Sequence, residues 1–363
     1  MVLLYMESEG NMDFDRDLAY MLQAKHVAYY EDGLVSILDR RIYPVKIEYV
    51  RCKTYVEVRD AIRAMVTQSA GPYTAAAMGM ALAAYESRHL KGDARYGFLK
   101  EAAHCIAHAR PTTSGRMAQV TSGSLEVAKK YLDDEHLDDI LRDYALKSME
   151  RRYSAIDRVA EHFMPVIPDE GTIMTQCFGE TIIGMLARHI KRSDKKIRFV
   201  CPETRPFLQG ARFTASVFKD MNMDVTVITD NMVAAYMENE GVSLFTSAAD
   251  SICMDGTIVN KVGTHQIAIL CRHFAIPYYA TGIPDMHIHS AKDITIEMRD
   301  PEESLSAHGI KHTLDGVKGY YPAFDVTPPE LVTGIVTDLG IFESNDLKRY
   351  EELKGEGDFY FAV

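Results

Sequence analysis

GTIMTQCFGETIIGMLARHIKRSDKKIRFVCPETRPFLQGARF, residues Gly171 to Phe213, holds two short apolar runs, GTIMTQC and KIRFVCPE. Between them lies ETIIGMLARHIKR, with apolar residues three and four apart. An apolar run reads as a strand buried on both faces, and the 3.6-residue period as a helix, so the order is strand, helix, strand. The rhythm continues: PFLQGARFTASVFKDM, then DVTVITD, MVAAYMENEG, SLFTSAADSI, VNKVGTHQIAILCRHF and IPYYATG. Strands alternating with helices predict a parallel sheet covered by helices on both sides.

Upstream the pattern differs. AYYEDGLVSILD (Ala28–Asp39) and IYPVKIEYV (Ile42–Val50) read as a short antiparallel sheet. From Val56 to Phe163 the helical period dominates, through TAAAMGMALAAYESRHL, FLKEAAHCIAHA and HLDDILRDYALKSMERRYSAIDRVAEHF. The acidic run Asp133–Asp143 reads as a solvated helix face. MPVIPDEG (Met164–Gly171), with two prolines and a glycine, marks the boundary. The expected division is a mainly helical domain over residues 1–165 and an α/β domain over residues 166–363.

The whole chain has 363 residues and a formal charge of −12, from 40 basic and 52 acidic side chains. That balance argues against nucleic acid and anionic membranes as partners, because both require clustered cations. No apolar run reaches the roughly 18 residues that span a bilayer. The six cysteines are scattered without a CxxC pair, which argues against a zinc ribbon or a disulfide scaffold and for a cytoplasmic protein. His287 and His289 have no ligand cluster around them and read as loop histidines, so no metal is expected.

Ligands of such sheets bind beyond the carboxyl ends of the strands, near the switch in strand order. Cys177, Glu203, Asp230 and Asp250 end predicted strands. A dinucleotide site is not indicated: no GxGxxG follows the first strand. Gly179 and Gly184 have phosphate-loop spacing, but Met185 stands where its lysine belongs. The turn at Gly179 still offers free N–H groups at a helix start, where an anion can sit. On pattern alone Cys177 is either a small buried apolar thiol or a reactive group whose pKa a helix N-terminus lowers. Asp250 is either a turn cap or a proton carrier. Arg110, Arg205, Gln209 and Lys261 are candidate holders of a phosphate or of hydroxyls, each also at home as a surface group.

The series DRR (Asp39–Arg41), RPT (Arg110–Thr112), TQC (Thr175–Cys177), ETRPFLQGAR, AAD, NKVGT and PAFDVTPPEL (Pro322–Leu331) resembles the methylthioribose-1-phosphate isomerases. That group is related to archaeal ribose-1,5-bisphosphate isomerases and to the alpha, beta and delta subunits of initiation factor 2B. The resemblance implies a Rossmann-like C-terminal domain, a smaller helical N-terminal domain and a homodimer. It also implies a cofactor-independent conversion of a ribose-type 1-phosphate to the ribulose 1-phosphate, within methionine salvage. The catalytic pair falls on Cys177 and Asp250. Substrate contacts fall on Arg110, Gly179, Gln209, Asn260 and Lys261. The first substrate is 5-methylthioribose 1-phosphate, with 5-deoxyribose 1-phosphate or ribose 1,5-bisphosphate as alternatives. A non-catalytic sensor of sugar phosphates or nucleotides is the alternative of another class.

Four positions depart from the family pattern. Gln176 and Phe178 flank the cysteine where histidine and asparagine are usual. Gln68 replaces the arginine of a glycine-rich loop, and Ser251 replaces an arginine after the aspartate.

Overall fold

A computed structural model describes residues 14–110, 114–307 and 309–354. The chain divides into two compact units, residues 1–42 with 47–154, and residues 43–46 with 155–362.

The first unit contains a three-stranded antiparallel sheet, β1 (Ala28–Glu31), β2 (Leu34–Leu38) and β3 (Tyr49–Cys52). Its helices are α1 (Tyr55–Arg63), α2 (Gly71–Glu86), α3 (Gly92–Ala107), α4 (Ser114–Lys130) and α5 (Leu137–Phe163). A capping box starts α1: the Thr54 hydroxyl accepts from Glu57 N at 3.2 Å, and Glu57 Oε2 accepts from Thr54 N at 3.2 Å. Every residue from Thr74 to Ala84 in α2 is buried, with α1, α3, α4 and β1 against it. A helix apolar all round belongs in an interior, and its alanines and glycines let the neighbouring helices approach closely. At Gly79 an added Cβ would lie 3.0 Å from both Ile106 Cδ1 and Val58 Cγ1. The division between the units falls within α5, ahead of the expected proline-rich boundary.

The second unit opens with β4 (Glu170–Gln176), α6 (Thr181–Lys191), β5 (Lys196–Pro202), α7 (Ala215–Asp220), β6 (Asp224–Ile228) and α8 (Val233–Asn239). Next come β7 (Leu244–Ala248), β8 (Ser251–Ile252), β9 (Ile258–Lys261), α9 (Thr264–His273) and β10 (Tyr278–Thr281). A two-residue hairpin, β11 (Ser306–Ala307) and β12 (Ile310–Lys311), precedes β13 (Phe324–Thr327), β14 (Gly334–Thr337), β15 (Gly340–Phe342) and α10 (Leu347–Lys354). The main sheet has seven strands in the order β15-β14-β10-β7-β4-β5-β6, all parallel except β15. Met174, Phe245, Tyr278 and Ile335 lie in the core on one side, and Phe199 stacks on Phe218 at 3.7 Å. Apolar burial of this kind supplies roughly 25 cal/mol per Å² and holds the layers together.

The chain winds β4 to β5 to β6 in one direction and returns to β7 on the other side of β4. The switch in strand order therefore lies between β4 and β7, where Gln176 pairs with Ser247. One expectation is corrected here. The run from SLFTSAADSI into VNKVGT does not lead straight into a helix. β8, β9 and β13 form a separate three-stranded antiparallel sheet in which Lys261 pairs with Phe324 and Asn260 with Asp325. Among the described residues, no helix is long and apolar enough to cross a membrane.

Candidate active site

Residues that follow β4 and β7 meet at the switch. Cys177 is the first residue after β4 and adopts φ +59°, a left-handed conformation rare for a residue with a side chain. The Thr214 hydroxyl donates to the Cys177 carbonyl and helps to hold that turn. Gly179 sits two residues on. A Cβ there would come within 2.7 Å of Ile182 Cγ2 and 3.0 Å of Ala248 Cβ, so the turn packs against the end of β7. Glu180, the residue before α6, is again left-handed at φ +46°.

The Cys177 thiol is pushed up to about 12, chiefly because the surrounding protein removes solvent from the thiolate. Lys261 acts against that shift, and the nearby Asp250 adds to it. Of the two readings the sequence left open for this thiol, burial favours the protonated one. Cys177 carries its proton at neutral pH. Asp250 lies in the bend between β7 and β8, exposed, with its backbone N–H donating to Val259 O at 3.0 Å.

Lys261 and Asn260 come from β9 and are both buried. Asn260 Nδ2 donates to Thr264 Oγ1 at 3.0 Å. The Lys261 ammonium lies 4.9 Å from the centre of the Phe324 ring and 6.0 Å from that of Tyr321. Among the described residues no carboxylate pairs with it. A buried cation without a counter-ion is costly unless an anion arrives to share the site. Asp325, opposite Asn260 across the β9–β13 ladder, accepts from Gly263 N at 2.7 Å and from His265 N at 3.2 Å. It thereby fixes the turn that follows Lys261. Sequence reasoning missed this residue, although it lies within the quoted PAFDVT.

Gln209 is buried beside β5, next to Gly210, where a Cβ would fall 1.9 Å from Pro202 O. Its Oε1 has no partner. Arg205 is spent on backbone, donating to Ser306 O at 2.8 Å and Pro206 O at 3.2 Å. The Asp230 carboxylate accepts from Thr204 N at 2.8 Å and Arg205 N at 2.7 Å, which makes it a holder of the loop after β5. Arg110 is half-buried in the first unit, between α3 and α4, and residues 111–113 of the RPT motif lie outside the described residues. Gln68 is also in the first unit, buried before α2, with its carbonyl accepting from Arg40 Nη1 at 2.7 Å. Phe178 is buried, its ring centre 5.3 Å from that of Phe213. His287 and His289 are exposed, and among the described residues no three His, Cys, Asp or Glu side chains gather to hold a metal.

The arrangement offers a protonated thiol, a carboxylate, an unneutralised cation and an unpartnered amide oxygen. These suit proton transfer on a small, hydroxylated, anionic molecule.

Known proteins resemble this chain in sequence and fold. The family model for the initiation factor 2 subunit family matches residues 69–344. Methylthioribose-1-phosphate isomerase 1 of Pseudothermotoga lettingae is 33% identical over 318 residues, which is 84% of this chain and 91% of that protein. The crystal structure of 5-methylthioribose 1-phosphate isomerase from Pyrococcus horikoshii matches with a TM-score of 0.80 at 29% identity, over 90% of this chain and 96% of that one. The crystal structure of translation initiation factor eIF-2B subunit delta from A. fulgidus matches with a TM-score of 0.77, also at 29% identity, over 89% and 97%. With most of its length inside the family match and 33% identity to an isomerase over 318 residues, the chain belongs to the initiation factor 2 subunit family.

Proposed function

We propose that this protein is an aldose–ketose isomerase that converts 5-methylthioribose 1-phosphate, or a close 5-substituted ribose 1-phosphate, to the ribulose 1-phosphate in methionine salvage. The observation that carries this reading is the convergence of Cys177, Asp250 and the unneutralised Lys261 at the β4–β7 switch. The relatives named methylthioribose-1-phosphate isomerase support it.

A sugar phosphorylated on its anomeric oxygen lacks the free hemiacetal that opens unaided. Isomerisation requires a proton on the ring oxygen as the bond from C1 to that oxygen breaks. It then requires hydrogen to pass from C2 to C1, and a proton to leave the C2 hydroxyl as the carbonyl forms. Cys177, still protonated at neutral pH, starts as the acid. Asp250 takes the hydroxyl proton, and Lys261 holds the phosphate charge. Gln209 and Asn260 orient the hydroxyls, and the turn at Gly179, at the start of α6, offers backbone N–H groups to the phosphate. Hydrogen moves within the substrate, so the chemistry calls for no redox cofactor.

Proton NMR of the protein with 5-methylthioribose 1-phosphate tests this. Loss of the anomeric signal with growth of ketose signals is expected in wild type, and neither in Cys177→Ser. Binding of the sugar phosphate without turnover in wild type overturns the isomerase and favours a regulatory sensor, as the likeness to the delta subunit would then suggest.

A further inference from the structure

Gln176 ends β4, immediately before Cys177, and is buried. Its Nε2 donates to Val262 O at 3.2 Å, in the turn between Lys261 and Gly263. That turn fits closely over the amide: Gly263 has φ +105°, and a Cβ on it would lie 2.8 Å from Gln176 Nε2. A carbonyl only accepts, so the NH₂ end must face Val262 and the amide orientation is fixed. The other end, Oε1, is buried and has no partner. A buried acceptor left without a donor is expensive, and it calls for a donor from outside the chain, a water or a ligand hydroxyl. Gln209 Oε1 is in the same condition. Both amides belong to the unit that carries Cys177 and Lys261, and each oxygen can accept a hydroxyl proton.

We propose that Gln176 is a substrate-recognition residue: its Oε1 accepts the proton of a sugar hydroxyl, while its Nε2 ties β4 to the turn bearing Lys261. This assignment rests on the isomerase reading above. It also gives a reason for glutamine where related chains usually have histidine. An amide accepts equally at every pH, whereas an imidazole loses its acceptor when it protonates.

The test is calorimetric titration in a Cys177→Ser background, which prevents turnover, with 5-methylthioribose 1-phosphate and its 2-deoxy and 3-deoxy analogues. With Gln176 intact, one deoxy sugar binds roughly tenfold more weakly than the parent. With Gln176→Leu the parent drops to that weaker level and the discrimination disappears. Equal weakening of all three sugars by Gln176→Leu, or no weakening, overturns the assignment. Failure of all three to bind when Gln176 is intact overturns the isomerase reading instead. Should Gln176→Leu not fold, Gln176→His retains a ring N–H and an acceptor nitrogen. It keeps the discrimination at pH 8 and loses it near pH 5.5, and a discrimination that does not respond to pH counts against the proposal.

Discussion

Replacing Lys261 with methionine separates a ligand-binding charge from a structural one, because the two make opposite predictions for stability. Lys261 is only 6% exposed and, among the described residues, forms no close ion pair; Glu303 feels its charge from a distance, and the rings of Phe324 and Tyr321 lie 4.9 Å and 6.0 Å away. Withdrawing an ammonium from water costs several kcal/mol even after relaxation. A cation over an aromatic face returns about 1 to 2 kcal/mol. Methionine keeps the stem and its packing and removes the charge, so the ligand-free variant should gain about 1 to 3 kcal/mol. For a unit of roughly 200 residues that raises Tm by about 2 to 12 °C. Affinity should move the other way. Loss of a charge-assisted hydrogen bond to phosphate costs about 1.5 to 3 kcal/mol, or roughly 10- to 150-fold in Kd. Differential scanning calorimetry without ligand and titration with 5-methylthioribose 1-phosphate measure both quantities. Adding inorganic phosphate should narrow the Tm gap, since it stabilises only the protein that binds it. A variant that melts below wild type refutes the argument, because Lys261 would then be stabilising the empty fold.

The thiols give two further tests. Cys177, pushed up to about 12, is about one part in 10⁴ thiolate at pH 8, against roughly a quarter for an unperturbed thiol. Its alkylation by iodoacetamide, followed by peptide mass spectrometry, should be slow at pH 7.5 and rise about tenfold per pH unit to pH 10. A plateau near pH 8 would mean that the α6 dipole wins after all. Cys52, Cys201, Cys253 and Cys271 are buried and likewise pushed up to about 12. The unfolded chain releases these protons near pH 9 while the fold retains them, so stability is present below pH 9 and is lost as pH rises towards 12. The slope is roughly 1.4 kcal/mol per pH unit for each thiol. Urea midpoints should be flat from pH 6 to 8 and fall from pH 9 to 11, and Cys271→Ala should flatten that fall by about one thiol's share.

Much of the parallel sheet was legible in the sequence because a strand buried on both faces has a compositional signature. GTIMTQ, KIRFVCP and LFTSA, now β4, β5 and β7, are nearly continuous apolar runs, and the order of strands and helices follows from them. The apolar α2 announced itself in the same way. The small sheet did not, because β8 has two residues and β9 finds its partner β13 some sixty residues later. Periodicity reports local burial and carries nothing about a pairing so distant. Phe324 and Asp325 thus reach Lys261 and Asn260 through a contact that only the folded chain displays. The sign of the Cys177 shift was hidden for a related reason. A helix start can be read from the local sequence, whereas the desolvation that outweighs it is summed over residues from the whole unit.

The same separation appears in the backbone around the site. Cys177, Glu180, Thr204 and Leu208 all have φ between +46° and +64°, just past the carboxyl ends of β4 and β5, and none is a glycine. Such conformations cost on the order of 1 kcal/mol or more each and persist only where the surroundings over-determine them. Those surroundings are visible. The Thr214 hydroxyl holds the Cys177 carbonyl, and the Asp230 carboxylate holds the amides of Thr204 and Arg205. Asp230 ends its strand as Cys177 and Asp250 end theirs, and from the sequence the three looked alike as candidates. In the fold they divide by what they face. Cys177 and Asp250 lie at the β4–β7 switch, while Asp230 turns its charge onto backbone N–H groups one loop away. On the isomerase reading proposed above, the chemistry would fall to residues left-handed or exposed at the sheet edge, and their placement to neighbours whose hydrogen bonds are already spent.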